Sequence, residues 1–149
     1  MPSCSKGARL GKIGVALGNN ELIRILLADD NPAVRRYLRG LLEQQEGWRV
    51  CDEACDGAEA VRRFERGHHD LIVLDFQMPE MNGLEAARQI IRESPNTPIL
   101  MVTLYLSKQL SVEAQKAGIK GTCPKTHISC VVDAVSALLR EETYFPTSA

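Results

Sequence analysis

Two adjacent acids, Asp29 and Asp30, and a third, Asp75, stand where apolar runs stop. The run Leu22-Ile23-Arg24-Ile25-Leu26-Leu27-Ala28 ends in the pair, and Leu71-Ile72-Val73-Leu74 ends in Asp75. If the two runs are neighbouring parallel strands, their carboxyl ends lie side by side, in the crevice where open α/β sheets bind ligands. Like charges held that close are costly unless a cation sits among them, and hard oxygen donors on a small site favour Mg²⁺. Thr103 closes the run Pro98-Ile99-Leu100-Met101-Val102, and Lys125 follows Gly121-Thr122-Cys123-Pro124. Any one of these residues alone reads as a helix cap or a surface residue. All five at one edge of one sheet read as a site.

The elements that must position them alternate. Short β-rich runs are expected at 22–28, 48–54, 71–75, 98–103 and 119–123, with helical patterns between them, the signature of βαβ units around a parallel sheet. Asn31-Pro32 starts the first helix, predicted to reach about Glu46 with Val34, Tyr37, Leu38, Leu41 and Leu42 inward and Arg35, Arg36 and Arg39 toward water. Ala60, Val61 and Phe64 mark the second helix, and Leu84, Ala87, Ile90 and Ile91 the third. Leu110, Ala114 and Ala117 mark the fourth, and Val131, Val132, Val135, Leu138 and Leu139 the fifth, predicted over about Ser129 to Glu141. Right-handed crossovers then place helices on both faces of the sheet.

The chain has 149 residues, 44% hydrophobic and 25% charged, which suits a single core. A net charge of −1 gives no electrostatic case for nucleic acid or membranes, and no apolar run approaches the roughly 18 residues of a spanning helix. A soluble, cytoplasmic protein is expected. Residues 1–20 read as a flexible extension, 21–142 as the domain and 143–149 as a short tail. Gly7 to Lys12 is one residue short of a phosphate-binding loop, and Ile13 stands where Ser or Thr is needed. The five cysteines, Cys4, Cys51, Cys55, Cys123 and Cys130, are odd in number and lack a CxxC pair, so they are expected as buried or incidental thiols, not as zinc ligands or disulfides. His68 and His69 are expected on the surface and His127 at the start of the last helix, with Met78 in the core and Pro79 and Gly83 as turn and helix-entry residues.

With these residues in this order, from Leu22 to Glu142, the chain resembles a bacterial two-component response-regulator receiver domain. The carriers are Asp29-Asp30, the block Asp75-Phe76-Gln77-Met78-Pro79-Glu80-Met81-Asn82-Gly83-Leu84-Glu85, Thr103 and Lys125. The wording of Gly118 to Pro146 is also similar to receivers that precede LuxR-type helix-turn-helix domains. The resemblance implies a flavodoxin-like (βα)5 three-layer sandwich and a phosphorelay switch, not a metabolic enzyme, that assists its own phosphorylation and dephosphorylation. Asp75 would accept a phosphoryl group from a histidine kinase, a phosphotransfer protein or a small phosphodonor. Asp30 and Asp75 would bind Mg²⁺ directly, Asp29 mainly through water, and Gln77 through its backbone carbonyl. Lys125 and Thr103 would each bond a phosphoryl oxygen. A homodimer is among the partners it allows, and direct contact of this domain with nucleic acid is not.

Three departures qualify the resemblance. Thr122 stands where the family has a switch aromatic, for which Tyr105 is a candidate substitute. Leu104 replaces a small residue and would narrow access to an acyl phosphate. Pro124-Lys125-Thr126 inverts the usual Lys-Pro order, so no cis bond is expected after the lysine. Two alternatives stay open: a degenerate, phosphorylation-independent interaction module, and a Mg²⁺-dependent phosphatase. Gln77 argues against the second, because it occupies the position where such enzymes favour a second aspartate.

Overall fold

The computed structural model describes residues 22–146; the extension expected over 1–20 lies outside them. The elements run β1 (Ile23–Ala28), α1 (Pro32–Glu43), β2 (Trp48–Ala54), α2 (Gly57–Arg66), β3 (Leu71–Asp75), α3 (Gly83–Glu93), β4 (Ile99–Thr103), α4 (Lys108–Ala117), β5 (Gly121–Pro124), a 3₁₀ turn over Lys125–His127, and α5 (Cys130–Leu139). The sheet is parallel throughout, in the order β2-β1-β3-β4-β5.

Alternation along the strands builds two cores. Ile25, Leu27, Leu71 and Val73 pack with Leu38 and Leu42 of α1 and with Val131, Val135 and Leu138 of α5. Leu26, Ala28, Ile72 and Leu74 point the other way, toward Ala60 of α2, Ala87 and Ile90 of α3, and Ala114 of α4. Burial on both faces is why these strands read as continuous apolar runs. α1 to α4 begin at side-chain caps, which α5 lacks: Asn31 accepts from the amides of Ala33 and Val34, and Asn82 and Glu85 form a reciprocal capping box.

Three expectations need correction. First, Cys123 and Cys130 form a disulfide that joins the end of β5 to the first residue of α5. Second, His69 is buried, stacked on Phe64, with Nε2 2.7 Å from Asp52 Oδ2. A register shift in β2 explains its partner, since Val50 pairs with Ile25 but Asp52 pairs with Leu26, leaving Cys51 as the extra residue. Burial holds the His69 imidazole below its usual pKa despite the Asp52 carboxylate. Third, α1 ends at Glu43, Tyr37 is exposed, and Arg35 turns inward to bond Glu53 Oε1 at 2.8 Å and the Asp29 carbonyl at 2.7 Å. The described part of the C-terminal tail is tied to the sheet. Tyr144 N donates to the Lys120 carbonyl at 3.0 Å and its own carbonyl accepts from Thr122 N at 2.9 Å.

The loop from β3 to α3 is held by close backbone approach. Gly83 N donates to the Phe76 carbonyl at 2.8 Å, and a methyl group at Gly83 would overlap the Asp75 carbonyl oxygen. A methyl at Gly57 would likewise overlap the Met81 carbonyl. Both obstacles are backbone, so Gly83→Ala is expected to destabilise by about 2 kcal/mol or more, read as a lower urea midpoint at unchanged slope.

Candidate functional site

The strand order brings the candidate residues together. β1 and β3 are neighbours with Ala28 opposite Leu74, so Asp29 and Asp75 emerge at the same sheet edge. β4 follows β3 with Val102 opposite Asp75, and β5 follows β4 with Pro124 opposite Thr103. Thr103 and Lys125 therefore close the other side of the crevice. Carboxylate oxygens of Asp29, Asp30 and Asp75 lie within 4.8 Å of one another.

Burial differs sharply within the cluster. Asp29 is 1% exposed and Asp75 4%, whereas Asp30 is exposed. Asp29 Oδ1 accepts from the Asn31 amide at 2.9 Å. The Lys125 ammonium sits 2.8 Å from Asp29 Oδ2 and 3.2 Å from Asp75 Oδ1. Burial works against that ammonium, but the two close carboxylates outweigh it and raise its pKa. Asp75 is pushed up to about 6, first by burial and next by the charge of Asp29, against the pull of Lys125.

One ammonium faces three carboxylates, so the crevice is short of positive charge. Asp29 Oδ2 is fully buried with the Lys125 ammonium 2.8 Å away, and a carboxylate oxygen carries two lone pairs, so capacity for a further cation remains. An all-oxygen donor set with one exposed carboxylate fits a small hard ion that keeps some of its water, as Mg²⁺ does.

The flanking candidates spread out. Gln77 is exposed in the β3–α3 loop, and Met78 is buried in the core as expected. Thr122 is 0% exposed on β5, its hydroxyl buried without a partner. Leu104 is 46% exposed and Tyr105 75%. Both line a cavity of about 660 Å³ with Pro124, Thr126, His127 and Cys130. Among the described residues no peptide bond is cis, Lys125–Thr126 included. Sequence reasoning missed Arg35, whose guanidinium fastens the Asp29 backbone. Its position beside Arg36 looked like part of a solvated face, and no local signal separates the two.

The family model for the response regulator receiver domain matches residues 25–135. The chain is 34% identical over 134 residues to the uncharacterized transcriptional regulatory protein YxjL of Bacillus subtilis (strain 168), covering 87% of this chain and 60% of that protein. It is 33% identical over 115 residues to response regulator UvrY of Escherichia coli (strain K12), covering 74% of this chain and 53% of that one. It thus spans between about half and three fifths of the length of these relatives. A crystal structure of a LuxR-family two-component response regulator from Aurantimonas sp. SI85-9A1 superposes with a TM-score of 0.80 at 32% identity, covering 83% of this chain and 89% of that one. The family match spans β1 to α5 and every acid and base of the crevice, and the chain belongs to the response regulator receiver domains.

Proposed function

We propose that residues 21–142 are a phosphorylation-controlled switch that takes a phosphoryl group onto Asp75 from a histidine kinase or a phosphotransfer protein, in the cytoplasm. The observation that carries this reading is the pairing of a nearly buried Asp75 with Lys125 at 3.2 Å inside the cluster with Asp29 and Asp30. No helix among the described residues is long and apolar enough to cross a membrane.

Asp75 Oδ attacks phosphorus in line, and the bond from phosphorus to the donor histidine nitrogen breaks as the acyl phosphate forms. Asp29, Asp30, Asp75 and the Gln77 carbonyl would hold Mg²⁺, which when bound neutralises the phosphoryl oxygens. Lys125 leaves Asp75 for one phosphoryl oxygen while keeping Asp29, and the Thr103 hydroxyl donates to another. Leu104 borders the path of donor and attacking water. Tyr105 and Thr122 stand where the conformational response begins, and a second copy of the domain is the partner that response favours. A phosphorylation-independent module would need none of this buried charge.

Wild-type protein treated with acetyl phosphate and Mg²⁺ is expected to gain one phosphoryl group by intact mass, removed by hydroxylamine as an acyl phosphate is. No adduct would refute the reading. Mg²⁺ alone should raise the melting temperature, because it binds the assembled crevice and not the unfolded chain. Asp30→Asn, which alters an exposed ligand without disturbing the core, should lose most of that rise; equal rises in both proteins would remove Asp30 from the metal site.

A further inference from the structure

The Cys123–Cys130 bond plays no part in phosphoryl transfer, yet Lys125 lies inside the loop it closes. The two cysteines are separated by 7 in sequence, and their Cα atoms lie 6.6 Å apart. Cys123 is 0% exposed in the core on the α1 and α5 side. Cys130 is partly exposed, is the first residue of α5, and lines the cavity beside Thr126 and His127. Between them, the 3₁₀ turn over Lys125–His127 carries the ammonium that bridges Asp29 and Asp75. Opening or closing the sulfur pair therefore changes how firmly the backbone of Lys125 is anchored at both ends.

We propose that Cys123 and Cys130 form a reversible thiol–disulfide site, closed by hydroperoxides, whose closed form fixes the backbone of Lys125 beside the carboxylates and leaves its ammonium free to swing. The division of labour follows from exposure and helix geometry. Cys130, at the amino end of a 10-residue helix with Asp133 in its first turn, is the sulfur a small oxidant reaches through the cavity, and its thiolate is the nucleophile. That thiolate attacks a peroxide oxygen, the O–O bond breaks, and the departing hydroxide takes a proton to leave as water, giving a sulfenic acid. The sulfur of Cys123 then displaces the hydroxyl group from Cys130, which leaves as a second water once protonated. In sum, two thiols and one hydrogen peroxide give one disulfide and two waters. A dithiol reverses the bond by exchange. In a reducing compartment such bonds are transient and redox-sensing, so the open form is the resting state there.

The coupling to phosphorylation rests on the assignment of Asp75, whereas the sulfur chemistry does not. The test uses the full chain, reduced with dithiothreitol, desalted, and exposed to equimolar hydrogen peroxide. Non-reducing peptide mapping should find Cys123 joined to Cys130. Amide exchange over residues 124–130 should slow on oxidation, and the initial rate of labelling by acetyl phosphate with Mg²⁺ should rise about threefold as Lys125 is prepositioned. Cys130→Ser replaces the partly exposed member and leaves the buried one intact. It should label at the reduced rate with or without peroxide. Oxidation confined to Cys4, Cys51 or Cys55 would overturn the site. A 123–130 crosslink with unchanged loop exchange would overturn the clamp. If neither redox form takes a phosphoryl group, the crosslink and exchange results still decide the sulfur proposal, and the failure belongs to the assignment of Asp75.

Discussion

Asp75→Asn protein incubated with acetyl phosphate and Mg²⁺ should show no phosphoryl adduct by intact mass under conditions that label the wild type stoichiometrically. The amide keeps the size and shape of the side chain but cannot form an acyl phosphate, so the loss is chemical and not a folding defect. No neighbour can stand in for it. Asp29 is as buried as Asp75, but its Oδ1 is taken by the Asn31 amide and its Oδ2 faces Lys125. Asp30 is exposed and lies off the Lys125 axis, since the ammonium contacts only the other two acids. An adduct of wild-type yield on Asp75→Asn would remove Asp75 as the phosphoacceptor.

In metal-free buffer, the same substitution should make the protein more stable above pH 6. The folded state raises the Asp75 pKa from 3.8 to about 6, so across that interval the fold keeps a proton that the unfolded chain has released. The stabilisation from that proton is complete below the unfolded value and is lost as pH rises through the folded one. The shift corresponds to on the order of 2 to 3 kcal/mol against the wild type at pH 7 and above, which Asn at this position does not lose. His69, lowered mainly by burial, works in the opposite direction, because its contribution is lost as pH falls. Subtracting the Asp75→Asn urea profile from the wild-type profile cancels His69 and isolates Asp75. The difference should grow between about pH 4 and 6, then level off, and Mg²⁺ should shrink it. A difference independent of pH would show that Asp75 is not desolvated in solution.

Much of this crevice was legible because its grammar is local. An apolar run buried on both faces can end in Asp75 or Thr103 only where the sheet stops, and parallel order then puts those ends on one edge. What escaped depends on contacts between distant parts of the chain. Cys123 and Cys130 meet because a short strand passes through one 3₁₀ turn into a helix, a geometry that their spacing alone does not specify. His69 follows a polar loop and resembles a surface residue, but the register shift in β2 supplies Asp52 as a partner and makes burial tolerable. Tyr37 satisfies the helical period yet stays exposed, since the inner stripe of α1 is filled by Leu38 and Leu42. Arg35 reads as solvated because nothing nearby in sequence announces the Asp29 carbonyl as its acceptor.

The close approaches at Gly57 and Gly83 stiffen one bank of the crevice. On the β3–α3 side, backbone lies against backbone with no room for even one methyl group, so that wall transmits force without yielding. On the opposite side, Leu104 is about half exposed and Tyr105 mostly so, beside an open cavity, while Gly121 on β5 lies against the Tyr144 carbonyl. Room for a side chain to move near Asp75 therefore lies toward Leu104, Tyr105 and the cavity they border, and not toward Gly57 and Gly83.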